Sequence, residues 1–159
     1  MHGAFVSNAA SLTLTVVLGL LGSNPINAAR HAPASTSHVQ LIVDELKDRL
    51  SIPSVVTVSV ATSNPLLVSV EPDRSDRSAF VMSFEEAFLA QLDGDELRAV
   101  IAHELGHVWI FTHHPYLHTE RLANTVAMRV VSRESLERVY GKVWERGGAK
   151  GDLVHFLGQ

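Results

Sequence analysis

The feature that most constrains this chain is the H-E-x-x-H pentapeptide at residues 103–107. It lies within residues 95–112, whose mostly apolar composition predicts a buried helix. Residues four apart share one face of a helix, so His103 and His107 can direct two imidazoles at one ion. Glu104 lies beside that ion but off the ligand face, where its carboxylate can accept a proton from water. This spacing indicates a metal site with hydrolytic chemistry.

The apolar character of the helix strengthens this interpretation. Its flanking residues are Val100, Ile101, Ala102, Leu105, Val108, Trp109, Ile110 and Phe111. Two histidines and a glutamate are costly to bury in such a helix unless a partner compensates them, and a metal ion would do so. The chain contains no cysteine, so its metal ligands must be histidines and carboxylates. With an open position for water, such ligands are typical of catalytic zinc.

The length and net charge of the chain indicate a single globular domain and argue against a nucleic-acid-binding protein. The chain has 159 residues, of which 46% are hydrophobic, which predicts a single domain with its own core. The formal net charge is −4, and acidic and basic residues are interspersed. Because no basic stripe is present, we do not expect a nucleic-acid partner.

The first 29 residues differ in composition from the rest. Residues 1–29 contain no Asp, Glu, Lys or Arg, and residues 12–21 form a short apolar run followed by small residues. This pattern predicts an export signal at residues 1–29 and a periplasmic or secreted protein, with an uncleaved membrane anchor as the alternative. Residues 30–37 then form a flexible leader, and residues 38–159 form the folded domain. We expect no stable membrane span in the mature chain.

Hydrophobic periodicity predicts an α+β fold, with a small three-stranded sheet packed on a bundle of helices that includes the H-E-x-x-H helix. Alternating apolar residues predict strands at residues 55–60, 66–70 and 79–83. Turn formers separate the first two strands and predict a hairpin. Helical stripes predict helices at residues 38–50, 95–112, 119–131 and 134–146. Asp93 and Glu96 predict a capping box before the motif helix.

Two residues compete as the third metal ligand. His113 has the spacing of the long motif H-E-x-x-H-x-x-G-x-x-H, but Ile110 occupies the position of the turning glycine. If the helix continues, His113 is rotated by about 240° from His107 and leaves the site. Glu120 begins the next predicted helix, which can return its carboxylate to the ion if the two helices pack antiparallel. Asn124, one turn later, can hydrogen bond a ligand imidazole.

Two segments carry a family resemblance. Residues 92–108 resemble the zinc-helix signature of the HtpX-like gluzincin peptidases, with an acidic lead-in to A-H-E-L-G-H. Residues 120–124 resemble the third-ligand helix of those enzymes, E-x-x-A-D, except that asparagine replaces the usual aspartate. ImmA/IrrE-type metallopeptidases carry E-A-N on the equivalent helix. The resemblance implies a sheet whose edge strand accepts extended peptide. Residues 79–83 are the candidate for that edge strand.

These observations predict a zinc endopeptidase that acts on extended or unfolded polypeptides. His103, His107 and Glu120 would hold one Zn²⁺ per chain, and Glu104 would act as general base. Further candidates are Tyr140 and His155 as donors to the oxyanion, and His114 and His118 at the rim.

Two other functions remain open. One is a non-catalytic, zinc-stabilised interaction module, which would have no use for a base at Glu104. The other is an ImmA/IrrE-like regulatory protease, against which the apolar N-terminus argues.

Overall fold

The computed structural model describes residues 34–114, 116–117, 119–147 and 151–158. The predicted α+β fold with a small three-stranded sheet is confirmed. In chain order, the described elements are α1 (Thr36–Arg49), β1 (Val56–Ala61), β2 (Val68–Pro72), β3 (Phe80–Glu85), α2 (Glu86–Leu89), α3 (Gly94–His113), α4 (Glu120–Ala127), α5 (Arg133–Gly147) and α6 (Leu153–Leu157).

The structure tests few of the predictions made for the N-terminal residues. The predicted export signal at residues 1–29 lies outside the described residues. Helix α1 begins at Thr36, inside the stretch expected to be a flexible leader, and Ser35 caps it by accepting the backbone N–H of His38. Within the described part of the chain, no helix has both the length and the apolar character needed to cross a bilayer.

The sheet has the order β1–β3–β2, with β1 parallel and β2 antiparallel to β3. The predicted hairpin between the first two strands is therefore wrong, because those strands do not pair with each other. The prediction that residues 79–83 form an edge is also wrong, because β3 is the central strand. Its buried, alternating residues Phe80, Met82 and Phe84 explain this position. The turn formers at residues 61–65 do reverse the direction of the chain, but β3 lies between β1 and β2 in the sheet.

The two edges of the sheet differ in what their backbone groups face. At the β1 edge, the Gln40 side chain donates to the Val56 carbonyl at 2.9 Å and accepts the Val58 N–H at 2.9 Å. Gln40 of α1 thus occupies two backbone groups at this edge of β1, which hinders their pairing with another strand. The β2 edge faces α3 and the cleft described below.

Helix α3 lies at the centre of the fold and packs against α1, α4, α5 and β2. The predicted capping box is present, because Asp93 accepts the Glu96 N–H and the Glu96 side chain accepts the Asp93 N–H, each at 2.8 Å. Glu96 is buried and also accepts a hydrogen bond from Lys142 of α5. The start of the motif helix is therefore anchored to a second helix.

Candidate metal centre

Three residues of the motif and one residue of α4 form the candidate site. His103, Glu104 and His107 lie on α3, and Glu120 is the first residue of α4. Helix α4 begins there because the Thr119 side chain accepts the Leu122 N–H at 3.2 Å.

A backbone contact between α3 and α4 brings Glu120 close to the histidines. A Cβ atom placed on Gly106 would lie 2.4 Å from the Ala123 carbonyl oxygen, so the two helices touch where the glycine lies. The small residue in the motif thus sets the approach of the third candidate ligand.

The donor atoms of three side chains converge on one point. The Nε2 atoms of His103 and His107 lie 3.1 Å apart. One Glu120 carboxylate oxygen lies 3.3 Å from His103 Nε2, and the other lies 3.5 Å from His107 Nε2. A tetrahedral zinc ion with bonds of about 2.0–2.2 Å separates its ligand atoms by roughly 3.3–3.5 Å. The donor set His103, His107 and Glu120 therefore fits a metal ion of this kind.

The electrostatics of the site also favour a cation. Hydrogen bonds with His103 and His107 hold the pKa of the Glu120 carboxyl well below its usual range. Burial opposes protonation of His103, but hydrogen bonding to Glu120 and the charges of Glu104 and Glu120 outweigh burial and raise its pKa. Burial raises the pKa of Glu104, although the nearby histidines and the backbone of Val70 act in the opposite direction. Two acidic side chains thus lie near the two imidazoles, of which Glu104 is buried and Glu120 is half-exposed.

Asn124 orients the first of these histidines. It is fully buried, and its Oδ1 atom lies 2.8 Å from His103 Nδ1. Its Nδ2 atom donates to the Tyr140 hydroxyl at 2.8 Å and to the Phe156 carbonyl at 3.0 Å. Since Oδ1 can only accept, Nδ1 of His103 carries a proton, and Nε2 is the nitrogen that faces Glu120 and would give its lone pair to a metal ion. The sequence left open whether Asn124 contacts one of the histidines, and the structure shows that it contacts His103.

The remaining candidates lie elsewhere. The His113 ring stacks on Trp109 with centroids 4.4 Å apart, and its Nδ1 lies 2.9 Å from the Trp109 carbonyl, outside the donor cluster. His114 is exposed beside the same indole, and His155 is exposed against Phe156. His118 lies outside the described residues.

The hydrogen bond between Asn124 and the Phe156 carbonyl could not be predicted from the sequence. The Phe156 carbonyl reaches Asn124 from 32 positions along the chain. A backbone carbonyl carries no residue-type signal, and no local spacing links two residues so far apart.

An apolar cleft adjoins the donor cluster. It has a volume of about 400 Å³ and lies between β2, α3 and α5. Its apolar walls include Val68, Phe88, Val100, Leu136 and Val139. Tyr140 also lines it, and burial raises the pKa of its hydroxyl to about 12, so the hydroxyl keeps its proton at neutral pH.

The edge strand β2 presents backbone groups to this cleft. Leu67 accepts the Glu85 N–H at 2.7 Å, so antiparallel alternation turns the backbone groups of Val68 and Val70 away from β3. The Val68 N–H bonds the Leu66 carbonyl at 2.7 Å across Leu67, which has φ 65°. This three-residue γ-turn, an uncommon conformation for leucine, begins the strand at the mouth of the cleft.

Comparisons with known proteins agree with this geometry. The sequence profile of Peptidase family M48 matches residues 33–153 of the 159-residue chain. No curated protein and no solved structure matched the chain. Peptidases of this family depend on zinc, and the described residues hold a donor set that suits it in His103, His107 and Glu120. The chain therefore belongs to peptidase family M48, a family of zinc metallopeptidases.

Proposed function

We propose that this chain is a gluzincin-type zinc endopeptidase, similar to HtpX, that hydrolyses extended or unfolded polypeptides. The observation that carries the proposal is the convergence of His103, His107 and Glu120, with the buried Glu104 carboxylate beside them. When bound, one zinc ion per chain would lower the pKa of a water molecule towards neutrality and polarise the scissile carbonyl.

Glu104 would act as the general base. It follows His103 directly on α3, and its side chain lines the cleft although the residue is only 8% exposed. Such a carboxylate can take the proton of the attacking water and pass it to the departing amide nitrogen. Because burial raises the pKa of Glu104, the residue holds that proton more readily than an exposed glutamate would.

Tyr140 is the better placed of the two oxyanion candidates. Its hydroxyl accepts a hydrogen bond from Asn124, which leaves its own proton available for donation. Because Tyr140 lines the cleft, its hydroxyl proton would be available to stabilise the negative oxygen that develops on the substrate carbonyl. His155 is exposed and is not among the residues that line the cleft.

The substrate would bind as an added strand. The β1 edge is bridged by Gln40. On β2, the N–H groups of Val68 and Val70 already bond Leu66 and Glu104, and the carbonyls of Val68 and Val70 are the groups that a peptide in the cleft would use. An extended peptide can pair with such an edge through its main chain, and the apolar cleft would take a hydrophobic side chain. Strand addition needs unpaired backbone, which favours unfolded or flexible substrates over compact domains.

The apolar run at residues 12–21 supports placing this activity outside the cytoplasm, in the periplasm or as a secreted enzyme.

A purely structural zinc site would not need a buried carboxylate at Glu104, and this observation favours the enzyme over the interaction module.

Cleavage of unfolded casein by the purified chain tests the proposal. We expect a chelator to abolish cleavage and added zinc to restore it. Glu104→Gln should lower the rate by roughly 100-fold or more, because general base catalysis contributes about that much, while zinc remains bound. Glu145→Gln, at an exposed position of α5, is the matched control and should cleave normally. Cleavage by Glu104→Gln at the full rate would exclude this mechanism.

A further inference from the structure

We infer that the segment of residues 151–158 is a positioning element for the metal centre. Its Phe156 carbonyl sets the orientation of the Asn124 amide, and the amide in turn selects the His103 tautomer that offers Nε2 to a metal ion. The inference rests on the proposed function, because it requires that His103 binds zinc.

An amide and a carboxylate at position 124 differ in how they bond His103. An aspartate at position 124 would offer an acceptor oxygen to His103 in either orientation. An asparagine can flip and present its NH₂ group instead, which would make Nδ1 the acceptor and move the imidazole proton to Nε2. The flipped amide would therefore protonate the atom that must bind the metal.

Of the two groups bonded to Asn124 Nδ2, only one enforces the productive orientation. The Tyr140 hydroxyl, at 2.8 Å, can donate or accept and so tolerates both orientations of the amide. The Phe156 carbonyl, at 3.0 Å, can only accept. A flipped amide would place its oxygen against that carbonyl and lose a hydrogen bond in a fully buried site, which is costly.

Specific contacts hold the segment in place. Arg133 donates to the Gly158 carbonyl at 2.9 Å and to the Leu157 carbonyl at 3.4 Å, and Leu157 is buried. The Phe156 ring packs on Tyr140 with centroids 5.3 Å apart. At the other end, a Cβ on Gly151 would lie 2.3 Å from the Trp144 ring, so the backbone rests directly on the indole.

A double-mutant cycle on zinc affinity tests the inference. Competition with a chromophoric chelator at one pH would compare the full chain and a chain ending at residue 150, each with and without Asn124→Asp. We expect the deletion to weaken zinc binding by roughly tenfold or more in the parent chain, as for other lost partners of ligand histidines. In the Asn124→Asp background the deletion should not weaken zinc binding, because a carboxylate accepts from Nδ1 in either orientation.

Two further variants keep the test valid if the shortened chain does not fold. Arg133→Gln loosens the segment without shortening the chain and should show the same dependence on residue 124. Glu145→Gln, at an exposed position of the helix that carries Arg133, should leave zinc affinity unchanged. Thermal unfolding of each metal-free protein reports whether the fold persists.

Three results would overturn the inference. Unchanged zinc affinity after deletion would show that the segment has no role in positioning. Equal weakening in both backgrounds would show a general loss of stability instead. Failure of the full chain to bind zinc would reject the proposed function as well, so the two failures can be told apart.

Discussion

Gly106, between the two histidines of the motif, determines how closely α4 can approach α3. The atoms nearest to its missing side chain are backbone atoms of Ala123, at 2.4–2.9 Å. Backbone atoms in a helix cannot move aside as the end of a flexible side chain can. The identity of this residue is therefore tied to the position of Glu120, three residues before Ala123.

Gly106→Ala should consequently damage both stability and metal binding. Overpacking of this kind costs about 1–3 kcal/mol, and separating the helices would move Glu120 away from the histidines. Thermal unfolding and zinc competition measure the two effects. Gly141→Ala is the matched control, because nothing lies within 4 Å of that Cβ position in α5. The control should gain up to about 1 kcal/mol from helix propensity, and normal zinc binding by Gly106→Ala would contradict the account.

Individual residues could be predicted where helix geometry relates them. His103 and His107 are one turn apart, as are Glu120 and Asn124, so a period of about 3.6 residues puts each pair on one face. The rejection of His113 as a site residue rested on the same geometry, because the uninterrupted helix carries it away from His107. The orienting contact from Phe156 had no such relation to the motif.

At the level of elements, helices were predicted more reliably than strand pairing. Caps such as the Asp93–Glu96 box and apolar stripes are local signals, and they located α1, α3 and α5 closely. Strand β1 pairs with β3 in parallel, and the paired residues are distant in sequence. No local turn sequence therefore predicts this pairing. The turn formers at residues 61–65 were correctly recognised as a reversal and wrongly assigned to a hairpin.

The corrected topology makes β2 the strand on which an extended substrate would be added. An N-methyl scan of a peptide substrate tests this without changing the protein. Methyl groups at residues whose N–H pairs with the Val68 or Val70 carbonyl should raise KM by roughly 2- to 10-fold, since each lost hydrogen bond is worth about 0.5–1.5 kcal/mol. Methylation of the intervening residues should have little effect, because their N–H groups point away from β2. A uniform response along the peptide would exclude strand addition.

At the level of the whole molecule, the candidate centre joins parts that are far apart in sequence. In the proposed centre, α3 would supply two ligands and the base, α4 would supply the third ligand, and residues 151–158 would orient one imidazole. The cleft wall comes from β2 and α5. Only the contribution of α3 was evident from one continuous motif, while the others depend on tertiary packing around that helix.

The zinc content of purified proteins tests the central claim most directly, because binding requires that the two helices bring their donors to one point. Elemental analysis should find about one zinc per chain in the parent protein and in His113→Ala, and almost none in Glu120→Ala, which leaves only two ligands. Retention of zinc by Glu120→Ala together with its loss from His113→Ala would contradict the account and assign the third ligand to His113.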